Sequence, residues 1–345
     1  MKQEWKKTVG LSALFALLTG LVLWQLVGEN GAEVALLLAK LQPKTMALLC
    51  LCSLGYMAVE GMGLTILAKN QKETFSFRSG IMAGFYMGAV RAPSFGMASA
   101  PALVYDLTRQ GLPVEWSAGV ASISYGFHKT AVAVVAGVGF LCYGTQVRAV
   151  FGENTVFLWV GYGVTVLIVA GLFALCLWQR GHRLLLTFLR RLPRRKIQKA
   201  ADELEERLAR LSSQTRTLLG NKKAVLLAFF FACLKLLFWY AMPYLALCSI
   251  QEGRPFSMGE GIAFTALTMA LAGVIPTPGG VASVEVIFTM LFSPLVGEPM
   301  ALALLLAYRF FSYYASCFLA WGVLLVVVGW QKWHLGRGHG QGMRK

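Results

Sequence analysis

Ile275-Pro276-Thr277-Pro278-Gly279-Gly280 interrupts an apolar stretch that runs from Gly259 to Phe292. Proline removes a backbone donor and collides with the preceding turn. The two glycines that follow offer no side chain to hold a helix in place. The stretch therefore reads as two half-helices around an unwound centre. Inside a bilayer such a break is tolerated only where it is buried in protein or lines a wet cavity. A second stretch, Gly80–Tyr105, is interrupted in the same way by Arg91-Ala92-Pro93-Ser94-Phe95-Gly96.

The surrounding sequence supplies the bilayer. Of 345 residues, 57% are hydrophobic and 14% charged, and the mean hydropathy is +0.61. Soluble domains carry about 25% charged residues, so an ordinary soluble enzyme is excluded. A spanning helix needs roughly 20 apolar residues. Six stretches meet that length: Thr8–Val27, Thr45–Leu67, Glu115–Leu141, Thr155–Trp178, Ala224–Ile250 and Met300–Val328. The first follows Lys2, Lys6 and Lys7, lacks a small-x-small cleavage pattern and reads as a signal anchor. The expected fold is an all-α polytopic membrane protein forming one integral membrane domain over 1–345. It has six full transmembrane helices plus two re-entrant broken-helix hairpins, 80–105 and 259–292.

Charge orients the chain. Its 32 Lys and Arg give a net charge of +16, which would suit nucleic acid if the cations clustered on a soluble face. They do not. Segments 1–7, 68–79, 106–114, 179–223 and 329–345 hold 3, 3, 1, 13 and 4 of them, whereas the opposite loops hold 4 together. The positive-inside rule places the rich segments, with both termini, in the cytoplasm. That assignment requires each interrupted stretch to return to the side it entered from. The expected location is the plasma membrane, with no nucleic-acid partner.

The two halves echo each other. Phe75-Ser76 and Phe256-Ser257 precede the interrupted stretches, Pro93 and Pro276 mark the breaks, and Gly111-Leu112-Pro113 and Gly297-Glu298-Pro299 introduce the next helix. Two copies inserted from opposite sides form an inverted repeat, an arrangement secondary transporters use for alternating access. Loop 179–223 carries the basic cluster Arg190-Arg191-Leu192-Pro193-Arg194-Arg195-Lys196. Ala201, Leu204, Leu208, Leu211, Thr215 and Leu218 follow at helical spacing, which reads as an amphipathic helix on the inner leaflet.

Chemistry-bearing residues are few. Seven cysteines sit in or beside apolar runs with no ligand spacing, so we expect buried thiols, no metal and no cofactor. Neither a Ser/His/Asp set nor a carboxylate pair points to catalytic residues, and no ATP-binding motif occurs. The informative residues are Glu60, Arg91, His128, Lys129, Lys235, Glu285 and Arg309, all within apolar sequence. A charge at mid-bilayer costs about 2.5–3.5 kcal/mol on insertion scales, so it faces a partner, a cavity or a substrate. Four cations against two carboxylates leave positive charge over, which an anionic guest complements. Lys235 is the one that snorkelling would relieve. Candidate substrate-binding residues are Arg91, Pro93, His128, Lys129, Pro278, Gly279, Gly280, Glu285 and Arg309. The break exposes backbone N–H groups that favour an anion, while Glu285 answers a cationic group or holds Arg309.

Pro278-Gly279-Gly280-Val281-Ala282-Ser283-Val284-Glu285 resembles the Pro-Gly-Gly-x-Gly-x-x-Glu signature of the lysylphosphatidylglycerol synthase transmembrane family, the flippase-like domains of multiple peptide resistance factors. Phe85–Tyr105 and the following Arg109-Gln110-Gly111-Leu112-Pro113-Val114 are similar to that family's first-half break and its sequel. Ala282 stands where the family usually has Gly, and Arg91-Ala92-Pro93-Ser94-Phe95-Gly96 replaces the usual Thr-Pro…Gly-Gly-Gln-Pro pattern. The resemblance implies translocation of a phospholipid such as lysyl-phosphatidylglycerol between leaflets, which lowers sensitivity to cationic peptides. Lysyl transfer belongs to a soluble domain in that family. With about 17 residues after the last span, we expect a stand-alone member without that activity. Two other readings stand beside this one: a membrane component associated with phosphatidylglycerol lysyltransferase activity, and a subunit that anchors a lipid-modifying synthase through 179–223. The expected partners are a phospholipid, the membrane, and a second copy of the chain or such a synthase.

Overall fold

The computed structural model describes residues 28–94, 96–177, 187, 213, 215–275, 277 and 280–341. The expected first span Thr8–Val27, and most of the expected amphipathic helix in 179–223, lie outside them. Among the described residues there are helices and turns and no strand. The helices are α1 (Gly31–Ala39), α2 (Pro43–Lys69), α3 (Phe77–Arg91), α4 (Ser99–Arg109), α5 (Val114–Phe151) and α6 (Thr155–Leu177). Further along the chain come α7 (Lys222–Tyr240), α8 (Met242–Ile250), α9 (Met258–Ala272), α10 (Ser283–Val296) and α11 (Glu298–Arg309). A π-helical turn, Phe310–Ala315, joins α11 to α12 (Ser316–Gln341). Among the described residues four stretches are long and apolar enough to cross a membrane: Pro43–Lys69, Val114–Phe151, Lys222–Ile250 and Glu298–Val327.

Both interrupted stretches are helix pairs packed on each other, α3 with α4 and α9 with α10. Their starts are capped alike. Ser76 accepts the Ser79 amide at α3, and Ser257 accepts the Glu260 amide at α9, where Glu260 returns a 2.6 Å bond to complete a capping box. The Phe-Ser echo in the sequence is thus a repeated helix start. The apolar partner of each Ser, Phe75 or Phe256, is buried.

Packing of the first pair depends on small residues. Gly80, Gly84 and Gly88 fall at four-residue spacing along α3, facing Met57, Gly61 and Thr65 of α2. A Cβ on Gly84 would run into the Met57 carbonyl and one on Gly61 into the Ile81 backbone. Such ladders let helix backbones meet where hydrocarbon offers no competing drive. Elsewhere, Pro243 cannot donate to the Trp239 carbonyl, and the expected span Ala224–Ile250 is accordingly two helices, α7 and α8, that meet at Ala241.

The π-turn after Arg309 widens the helix, and Ser53 of α2 donates to the Phe311 carbonyl there at 2.6 Å. Just before α7, in the helical stretch 215–220, Leu218 belongs to the protein core, with 0% exposure, and Asn70 donates to its carbonyl. That apolar position therefore faces protein rather than lipid.

Gly84→Ala should lower stability by about 1–3 kcal/mol, the cost of overpacking. Gly171→Ala, with open space around its Cβ, should not. Melting temperatures of the two purified variants check this.

Candidate functional site

Glu60 lies in the middle of α2 with a side chain 5% exposed. Its two oxygens have different partners: Oε1 accepts from Lys235 Nζ of α7 at 2.7 Å, and Oε2 from Arg91 Nη2 of α3 at 2.9 Å. Lys235 is 3% exposed. It does not snorkel, contrary to expectation, because a carboxylate reaches it inside the bundle. Arg91 is the last residue of α3, so this contact pins the first break to the long helix α2. Tyr56 and Trp239 stack with ring centroids 3.7 Å apart, and the Arg91 guanidinium carbon lies 5.1 Å from each ring centre.

The first break is a compact turn. Ser94 Oγ donates to the Val90 carbonyl and accepts the Ala98 amide, so one hydroxyl serves both helix ends. Gly96 (φ +80°) donates to the Arg91 carbonyl at 2.8 Å. Tyr313, within the π-turn, donates to the same carbonyl at 3.3 Å and ties the second half to the first.

The second break carries the opposite polarity. Glu285 sits in the first turn of α10 and is 1% exposed. Arg309 of α11 donates to Glu285 Oε1 through Nε at 2.8 Å and to the Gly280 carbonyl through Nη2 at 2.7 Å. Of the two expected roles for Glu285, holding Arg309 is the one seen. Thr277 and Ser283 hydroxyls bond across the break at 2.9 Å. Ala282 has φ +68°, a conformation L-residues avoid. This accounts for glycine being usual at that position of the resembling motif. Pro278 and Gly279 lie outside the described residues.

Each helix pair is thus pinned at its break by one buried ion pair to a neighbouring helix. The first pair contributes the cation, Arg91. The second contributes the carboxylate, Glu285. Pairs of this kind add little net stability, yet removing one partner costs about 3–5 kcal/mol.

A cavity of about 520 Å³ opens beside the first break, between α2, α3, α4, α5 and α7. Arg91 and His128 line it; Pro93 does not. Lys129 forms no ion pair with a described carboxylate. It stands over Tyr125 at the cavity, 5.7 Å from the ring centre, and beside Gly273, where the second break begins. Among the described residues no cluster of three His, Cys, Asp or Glu could hold a metal. The candidate set omits Glu60, Lys235, Tyr56, Ser99 and Trp239, which build the first site. Glu60 and Lys235 are visible as buried charges in the sequence; the other three carry no linear signal.

A family model described as the lysylphosphatidylglycerol synthase TM region matches residues 10–320. No curated protein matches the chain.

Glu60→Gln leaves two buried cations facing a neutral amide and should cost about 3–5 kcal/mol. Lys235→Met leaves Glu60 and Arg91 paired one to one and should cost less; thermal melts in detergent order the two. Ala282→Gly removes a positive-φ side chain and should add about 1 kcal/mol. A fall in melting temperature would contradict that reading.

Proposed function

Because the chain belongs to the lysylphosphatidylglycerol synthase transmembrane family, we propose that it moves an anionic or aminoacylated phospholipid between the leaflets of the plasma membrane. The family itself establishes a membrane protein with a lipid-related role. One observation carries the finer reading: two helix pairs of opposite polarity, each fixed at a break by a buried pair, Arg91 with Glu60 and Arg309 with Glu285.

A phospholipid crosses hydrocarbon slowly because its charged headgroup loses hydration. A protein speeds the crossing by offering polar groups at mid-depth. A permanently open polar path would leak ions, so the lining has to be exposed to one side at a time. Two re-entrant pairs inserted from opposite leaflets allow this, since one can release while the other stays pinned. The ion pairs suit that task. They are reversible, they sit at the tips, and a lipid phosphate competes with Glu60 or Glu285 for the same guanidinium. Tyr313, bonded to the Arg91 carbonyl from the helix that follows Arg309, offers a route for coupling the two pins.

The test is inter-leaflet transfer of a fluorescent phosphatidylglycerol in proteoliposomes. Wild type should exceed empty liposomes. Glu285→Gln and Arg309→Ala should each lose at least about tenfold in rate, the equivalent of about 1.4 kcal/mol, while still eluting as folded protein. Equal transfer by wild type, both variants and empty liposomes would overturn the proposal.

A further inference from the structure

Four buried polar side-chain atoms without a hydrogen-bond partner belong to residues that line the same cavity: Arg91 Nη1, Ser99 Oγ, His128 Nδ1 and Trp239 Nε1. Buried polar groups are bonded in about nine cases of ten, so four at one cavity mark a missing partner. Its character follows from their chemistry. A guanidinium and an indole N–H donate only, and a hydroxyl donates or accepts. The cavity asks for an acceptor.

Charge agrees. Glu60 is the one acidic residue in the lining, and both its oxygens are engaged, by Lys235 at 2.7 Å and Arg91 at 2.9 Å. One carboxylate against two cations leaves an excess positive charge. A cationic headgroup would find no carboxylate oxygen to receive it. The tyrosine and tryptophan rings of the lining each already have a resident cation near one face, which disfavours a second cation beside them. Arg91 lies over Tyr56 and Trp239, Lys235 over Tyr56 at 5.4 Å, Lys129 over Tyr125, and Arg309 over Tyr313 at 6.0 Å. The volume, about 520 Å³, is within the range of small-molecule sites and exceeds what a bare phosphate needs.

We propose that this cavity is a binding site for a phosphate-bearing anion whose headgroup carries no ammonium group, so that it takes unmodified phosphatidylglycerol-type lipid and excludes the lysyl ester. The assignment deepens the lipid-transfer reading and rests on it for the lipid source of the phosphate. Arg91, Trp239 and Ser99 donate to the phosphate oxygens, and His128 bonds the remaining headgroup.

Native mass spectrometry of the purified full-length protein tests it with four probes: dioctanoyl phosphatidylglycerol, its lysyl ester, dioctanoyl phosphatidylcholine and inorganic phosphate. Phosphatidylglycerol should bind at least about tenfold more tightly than the lysyl ester or phosphatidylcholine. Trp239→Phe, which keeps the stack on Tyr56, and Ser99→Ala should each weaken that binding about five- to tenfold. Ser99→Ala should leave the ligand-free melting temperature unchanged, since its hydroxyl has no partner to lose. Inorganic phosphate binding as tightly as the lipid, with the same variant sensitivity, would keep the anion site and overturn its lipid source. Lysyl ester binding equal to or tighter than phosphatidylglycerol, or wild-type affinity in both variants, would overturn the site. Lipid transfer in proteoliposomes that survives such a result would leave the transport reading standing.

Discussion

A single carboxylate in the middle of α2 holds three elements together. Glu60 gives one oxygen to Lys235 of α7 and the other to Arg91 at the tip of α3. Among the described residues Arg91 and Lys235 pair with no carboxylate but Glu60, so the position of Glu60 sets where α7 and the first break lie. The glycine ladder of α3 makes this reach geometrically available, because only a close backbone crossing brings Arg91 down to the level of Glu60. The ladder and the carboxylate are therefore one design feature, close packing on one side and charge on the other. The same logic, with polarity reversed, fixes the second break through Glu285 and Arg309.

The breaks were legible because proline and glycine act locally. Pro93 and Pro276 interrupt apolar runs wherever the rest of the chain lies, and the Phe-Ser echo marks the capped start of α3 and α9. The list of buried charges was legible too, since a charge in an apolar run is conspicuous. Pairing was not. Glu60 is separated from Arg91 by 31 residues and from Lys235 by 175, and nothing local says which cation it meets. Lys235 looked able to reach the interface because depth within a bundle has no linear signal. Ser99 and Trp239 were invisible for a deeper reason. A serine and a tryptophan in an apolar run are ordinary residues, and only the fold shows that their donors point at no acceptor. The glycine spacing Gly80, Gly84, Gly88 is a local signal of the close α2–α3 crossing.

The two sites differ in what they leave unpartnered. At the first, Arg91 Nη1, Ser99 Oγ and Trp239 Nε1 are buried without a partner, the observation behind the anion site proposed above. The second presents Glu285, whose Oε2 is buried without a partner, against a guanidinium already bound on the other oxygen. Family membership sets the context, a membrane protein concerned with lipid, and the proposed anion site at the first break bears on the kind of lipid. Ala282, where the family's motif usually has glycine, takes a positive φ that glycine adopts more readily.

The most direct measurement is a cryo-electron microscopy map of the full-length protein in nanodiscs containing phosphatidylglycerol. The account predicts headgroup density in the cavity beside the first break, with the phosphate in hydrogen-bond reach of Arg91 Nη1 and Trp239 Nε1. A cavity filled by an acyl chain, or a phosphate seated elsewhere with this cavity closed, would contradict it.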